Sequence, residues 1–298
     1  MGRWSCFLVA LAAAAAAAPL AAQTPPAGTE QSPIVVQGRR DRDTEIRELV
    51  NTLPPAWVGG HISRFEHSAC PAVLGLPPEM RALVIERMRA VARAGGVPVG
   101  NANCQPNVVV MVTTDKRQLI ELLERRFPNY LGELSDNQVR QLARSPAPAA
   151  LWHLKGMVDA SGRELSAPGE PFVVQRTTHA ASRLTDQAHM EFIGSVLIVE
   201  SRALMGLSTT EFADYAAMRT LTGADPARLP DRSLETILTL LDAPMGSQVP
   251  VTLTSWDLAF LESLYTIDPN RYAPGQRGEI RAAMGRRLGT PEEGAQHH

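Results

Sequence analysis

The spacing of apolar positions changes its period along the chain. Consecutive apolar residues in its middle third are typical of buried strands, whereas a three-and-four spacing after residue 207 is typical of helices. The pattern predicts strands at 107–113, 151–158, 172–176 and 192–200. It predicts helices at 77–93, 115–126, 135–144, 208–221, 233–242, 254–265 and 274–288. Strands in the middle and helices at the end favour an α+β fold with a mixed or antiparallel sheet.

Polar residues mark where several of these helices begin. Asp115 is placed to cap one helix, and three capping boxes begin others, formed by Ser135 with Gln138, Ser208 with Glu211, and Thr254 with Asp257. The helix that begins after Ser208 is apolar around nearly its whole circumference, with Asp214 and Arg219 as its polar exceptions. This composition predicts a central, buried helix.

The N-terminus has the three-part form of a secretory signal peptide. One basic residue, Arg3, precedes an apolar run of 15 residues from Cys6 to Leu20, and small residues follow it. The run is shorter than the roughly 17 to 25 residues that a membrane span needs. We therefore expect cleavage near Ala22 and a periplasmic or secreted protein. The remaining chain divides into a flexible leader (23–45), a single α+β domain (46–290) and a disordered tail (291–298).

Composition excludes several classes of partner. The chain of 298 residues has 29 basic and 31 acidic residues, which argues against a broad surface for nucleic acid. Aromatic residues make up only 5% of the chain, too few for extended stacking platforms. No transmembrane segment is predicted in the mature chain, because the most apolar later stretch is interrupted by Glu200 and Arg202.

Two cysteines remain after removal of the signal peptide, Cys70 and Cys104. An oxidising compartment favours a disulfide between them. Two buried free thiols and a metal-binding pair are the alternatives, although the separation of the two cysteines matches no common metal-ligand spacing.

A short apolar triplet, Ile34, Val35 and Val36, precedes a charged stretch. It predicts a strand of the protein's own sheet or an ordinary tail. The alternative is an extended peptide that docks on an envelope protein such as an outer-membrane transporter.

Motifs for metal binding and nucleophilic catalysis are missing. No two histidines stand at the i, i+4 spacing of a helical zinc site, and no GxSxG or SxxK motif occurs. His179 and His189, with Asp186 and Glu191 nearby, could form a folded metal site, but solvated histidines are the simpler interpretation. We therefore predict neither a metal nor a cofactor.

Asp214 is the one candidate for catalysis. A buried carboxylate can act as an acid or base, here with Glu191 or Asp257 as a possible second carboxylate. The alternative is a structural carboxylate that accepts hydrogen bonds from a neighbouring loop, and Asp257 already has a capping role.

Four segments carry a family resemblance: 70–77, 104–107, 213–219 and 253–261. Together they resemble an uncharacterised family of exported alphaproteobacterial proteins. The order of elements is more distantly similar to zincin-like metallopeptidases, in which the central helix carries HExxH. With Asp214 at the glutamate of that motif, Ala213 and Ala217 occupy the histidine positions, so the resemblance implies a scaffold without its metal. The predicted function is a non-catalytic binding or assembly factor of the cell envelope. The alternative is a peptidase-like hydrolase that uses Asp214.

Overall fold

The computed structural model describes residues 34–54, 60–159, 165, 188–230, 234–243 and 248–289. Within these ranges the helices are α1 (Ile34–Asn51), α2 (Pro78–Ala94), α3 (Lys116–Arg126), α4 (Asp136–Arg144), α5 (Thr209–Thr222), α6 (Ser255–Thr266) and α7 (Ala273–Gly289). The strands are β1 (Pro71–Leu74), β2 (Val108–Thr113), β3 (Ala149–Asp159) and β4 (Ala188–Glu200). The strand predicted at 172–176, the predicted signal peptide with Ala22, and the predicted tail lie outside the described residues.

The four strands form one mixed sheet in the order β1-β2-β4-β3. Strands β1, β2 and β4 are parallel, and β3 runs antiparallel to β4 at the edge of the sheet. A mixed sheet with seven helices confirms the predicted α+β fold.

Both faces of the sheet are covered, which explains the unbroken apolar runs of β2 and β4. Side chains alternate along a strand, so successive valines of β2 enter opposite cores. Val108 and Val110 belong to the main core, whereas Val109 belongs to a second core beneath α3 and α4. The main core extends from Ile46 of α1 to Met284 of α7.

Helix α5 is the central helix that its composition predicts, because every residue from Phe212 to Thr222 is buried. It packs against α2 and α6 and against the sheet. The Ser208–Glu211 capping box begins it, and Gly223 ends it in the left-handed conformation, with φ at +68°, that favours glycine. The other predicted caps, Asp115 and the boxes at Ser135 and Thr254, are also present.

The N-terminal segment differs from the prediction. Ile34, Val35 and Val36 form the start of helix α1, so the prediction of an extended strand here is wrong. The leader boundary expected at residue 45 falls inside this helix. The later turns of α1 supply the reason, because Ile46, Leu49 and Val50 are buried in the main core and anchor the helix to the domain.

The helix predicted at 233–242 is also wrong, since the described part of that range contains only a 3-10 turn, Ile237–Thr239. The carboxylate of Asp257 accepts hydrogen bonds from the backbone N–H of Ile237 (2.9 Å) and from the hydroxyl of Thr236 (2.5 Å). These long-range contacts fix the backbone in a form that local periodicity does not reveal.

A disulfide joins Cys70 to Cys104, as predicted, with the two Cα atoms 6.0 Å apart. It connects the start of β1 to the loop before β2. Arg89 of α2 also binds that loop through the carbonyls of Gly100 (2.8 Å) and Asn101 (3.2 Å). On a chain-entropy model, a loop of this size gives roughly 3 to 4 kcal/mol of stabilisation. Among the described helices, none is long and apolar enough to cross a membrane.

Candidate functional site

A cavity of about 650 Å³ lies between edge strand β3 and the C-terminal half of α5. We call it the β3–α5 cavity. Leu151 and His153 of β3 line one side, and Tyr215 and Arg219 of α5 line another. The 3-10 turn Pro226–Arg228, the preceding Asp225 and residue Asp242 also line it. Its volume is within the usual range of small-molecule sites.

The helical face of this cavity is polar although the helix is buried. Tyr215 and Arg219 are four residues apart, so they lie on one side of α5, and Gly223 continues the same side. Arg219 donates from Nη1 to the Tyr215 hydroxyl oxygen (3.2 Å), and its Cζ lies 5.7 Å from the Tyr215 ring centroid. Burial raises the pKa of Tyr215, which keeps its hydroxyl protonated. That hydroxyl therefore has its own hydrogen to donate.

Arg219 has an unused donor. The residue is 8% exposed, and its Nε is buried with no hydrogen-bond partner among the residues that the structure describes. Buried polar groups are nearly always hydrogen-bonded, and each exception asks for an explanation such as a missing ligand or water. A guanidinium in a cavity is suited to a planar anion such as a carboxylate.

His153 forms a neutral part of the wall. Its ring stacks on Phe192, with centroids 3.8 Å apart, and its Nε2 lies 2.9 Å from the carbonyl oxygen of Thr220. A carbonyl can only accept, so the proton of the neutral ring is assigned to Nε2. Burial lowers the pKa of His153 to about 4, and the ring is therefore uncharged at neutral pH.

The rim is acidic. Asp225 and Asp242 are both exposed residues that line the cavity mouth. Partial burial of its carboxylate raises the pKa of Asp242, Arg219 opposes that shift, and Asp225 adds to it. The charges of Arg219 and Asp225 are therefore close enough to act on the Asp242 carboxylate. The rim arginine, Arg228, is held by the carbonyls of Leu53 (2.6 Å) and Asn51 (3.2 Å).

Asp214, the candidate from sequence, lies elsewhere on α5 and is fully buried. Arg87 of α2 donates to both of its oxygens, from Nε (2.6 Å) and Nη2 (2.9 Å). The hydroxyl of Thr252 (2.7 Å) and the backbone N–H of Leu253 (2.9 Å) donate to Oδ2. The loop contacts are those expected of a structural carboxylate, and both oxygens are occupied.

The two possible partners of Asp214 are engaged separately. Asp257 caps α6 and binds Thr236 and Ile237. Glu191 lies on β4 and is paired with His67. Among the described residues, none of the three carboxylates shares a hydrogen-bond partner with another, so this part of the structure does not assemble them into an acid–base pair.

Two crossed histidine–carboxylate pairs join β4 to the loop before β1. His67 Nδ1 lies 2.7 Å from Glu191 Oε1, and His189 Nε2 lies 2.7 Å from Glu66 Oε1. The backbone N–H of Glu66 also donates to Glu191 Oε2 (3.2 Å). Burial raises the pKa of Glu191, and the contact with His67 opposes that shift.

These pairs bear on the possible metal site. His179 and Asp186 lie outside the described residues. Among the residues that are described, no group of three or more histidine, cysteine, aspartate or glutamate side chains is arranged to hold a metal ion. Ala213 and Ala217, at the histidine positions implied by the zincin resemblance, are fully buried in the main core.

Sequence reasoning missed the groups that matter most in the cavity. Tyr215 and Arg219 carry a signal in their i, i+4 spacing, but in the sequence pattern Arg219 is only one of two polar exceptions on an apolar helix. Glu66 and His67 carry no local signal, because their partners on β4 are more than 120 residues further along the chain.

No family model, curated protein or solved structure matches the chain. The resemblance to an exported family and to zincin-like peptidases therefore stays a prediction.

Proposed function

We propose that the protein is an exported, non-catalytic binding protein that holds a small polar ligand in the β3–α5 cavity. One observation carries the proposal: a buried arginine, Arg219, lines the cavity, and its Nε has no partner among the described residues. Export rests on the predicted signal peptide, with cleavage near Ala22.

The chemistry of the cavity favours binding over catalysis. The i, i+4 pair on its helical face is tyrosine and arginine, and arginine cannot ligate zinc as a histidine does. His153 donates to a backbone carbonyl and is not hydrogen-bonded to a serine or cysteine nucleophile in the described part of the chain. A cavity of this size with a few convergent polar groups is typical of a small-molecule site.

The hydrolase alternative depends on Asp214. Its two oxygens accept four hydrogen bonds, and one donor is a guanidinium. A carboxylate that is held in this way is poorly placed to exchange a proton with a substrate. The geometry therefore favours a structural role for Asp214.

The test is a thermal-unfolding screen of the purified mature protein against small anions and zwitterions, with a peptide-library assay in parallel. We expect at least one compound to stabilise the protein, by about 2.7 kcal/mol at a concentration 100-fold above its Kd. We expect no peptide hydrolysis.

A variant with a blocked mouth locates the binding. Ala227→Trp places a large ring at the cavity rim, and we expect it to abolish the stabilisation. Ala82→Trp, an exposed position on α2 that does not line the cavity, is the control and should leave it unchanged. Peptide hydrolysis that is lost in Asp214→Asn would overturn the proposal in favour of the hydrolase.

A further inference from the structure

The β3–α5 cavity is polarised from floor to mouth. Its floor carries the buried guanidinium of Arg219 beside the Tyr215 hydroxyl, and its mouth carries the carboxylates of Asp225 and Asp242. A simple anion would bind at the floor but would be repelled at the mouth. A simple cation would be attracted at the mouth but would find a positive charge below it.

We propose that the ligand is a zwitterion of the amino-acid or short-peptide kind, bound with its carboxylate on Arg219 and its ammonium group toward Asp225 and Asp242. The inference rests on the proposed function of the cavity and names its ligand class. The order of charges also fixes the orientation, with the carboxylate inward.

The floor supplies the donors that a carboxylate needs. Arg219 Nε is buried without a partner among the described residues, and Nη1 is used by the Tyr215 oxygen. Tyr215 is fully buried, and its hydroxyl oxygen accepts from Nη1, which positions the guanidinium for the ligand. Hydrogen bonds between charged partners of this kind are roughly twice as strong as neutral ones.

The walls fit a ligand whose middle is neutral. Leu151 and Ala149 of β3 and the uncharged ring of His153 line the cavity between floor and mouth. Arg228, the cation of the rim, donates to the carbonyls of Asn51 and Leu53 and keeps its charge. Against this one positive charge, the two carboxylates give the mouth a net negative charge, which attracts an ammonium group.

Isothermal titration calorimetry with four probes tests the proposal on the mature protein. The probes are L-alanyl-L-alanine, its N-acetyl derivative, its C-terminal amide, and the form blocked at both ends. We expect the unblocked dipeptide to bind and each singly blocked form to bind about ten-fold more weakly or worse, as loss of one charge-assisted contact implies. The doubly blocked form should not bind.

Two variants test which residue binds each charged end of the ligand. Arg219→Met should weaken the dipeptide about ten-fold or more and remove the preference for a free carboxylate over the amide. Asp242→Asn should remove the preference for a free amino group over the acetylated one. Arg202→Met and Asp136→Asn, exposed positions that do not line the cavity, are the matched controls and should bind like the parent.

The outcomes separate this inference from the proposed function. Equal binding of the N-acetyl derivative and the dipeptide, with dependence on Arg219, would show an anion site and overturn the zwitterion. Failure of all four probes while another screened compound stabilises the protein would also overturn it and leave the proposed function intact. Failure of every compound would overturn both.

Discussion

Helix α5 carries two charged side chains into the protein, and their surroundings differ sharply. Asp214 is fully buried, and four hydrogen bonds from α2 and the 252–253 loop occupy both of its oxygens. Arg219, five residues later, is 8% exposed and keeps an Nε that has no partner in the described part of the chain. One charge is enclosed by protein, and the other faces a cavity.

The difference indicates which charge belongs to the architecture. A buried ion with all its hydrogen bonds made holds elements in register, and removal of its partner is costly. A buried ion with an unmade bond is a candidate for ligand contact. Burial alone would have placed Asp214 first, whereas the hydrogen-bond inventory places Arg219 first.

The largest effect on stability is expected for Arg87→Leu, which removes the ionic partner of the enclosed Asp214 carboxylate. This change leaves the Asp214 carboxylate buried with only the neutral donors Thr252 and Leu253. We expect the free energy of unfolding to fall by about 3 to 5 kcal/mol, measured by urea denaturation. Arg93→Leu, on the same helix but in an exposed pair with Glu86, is the control and should cost less than about 1 kcal/mol. If Arg87→Leu lowers the free energy of unfolding no more than the control does, Asp214 is not a structural charge and the contrast with Arg219 is lost.

The second effect is a pH dependence at the cavity wall. The pKa of His153 is 6.5 in the unfolded chain and is lowered to about 4 in the fold by burial. Between these values the unfolded chain binds the extra proton, so stability falls as the pH falls from 6.5 to 4. The loss reaches roughly 3 kcal/mol from this group.

His153→Gln keeps a donor for the Thr220 carbonyl but does not titrate, so it should flatten the stability profile over that range. An NMR titration of the imidazole in the folded parent gives the pKa directly. A pKa near 6.5 would mean that the His153 ring is hydrated in the folded protein. The cavity wall would then be less buried than the structure indicates.

Much of the fold could be predicted from local sequence. The unbroken valine run of β2 predicts a strand that is buried on both faces, and polar pairs three residues apart predict the three capping boxes. The structure confirms both. The prediction failed where distant contacts decide the backbone. Asp257 holds the turn at Ile237, and core contacts of Ile46 belong to a helix that begins at Ile34.

The site was less predictable, for a physical reason. The partners of Asp214 are 127 and 38 residues away in sequence, so no local pattern shows that its oxygens are occupied. The i, i+4 pair Tyr215–Arg219 was visible, but only the cavity beside it distinguishes a ligand-facing pair from a packed one.

The smallest effect, and the most direct comparison, is expected for Arg219→Met. The variant removes a buried charge without leaving another buried charge behind, because Asp242 is exposed and can be hydrated. Methionine fills similar volume, but the buried Tyr215 hydroxyl loses the hydrogen bond from Arg219. We therefore expect the free energy of unfolding to fall by about 1 to 2 kcal/mol, measured under the same urea conditions as Arg87→Leu. A loss as large as that of Arg87→Leu would show that Arg219 is structural too, since a ligand-binding arginine should be dispensable for folding while binding is lost.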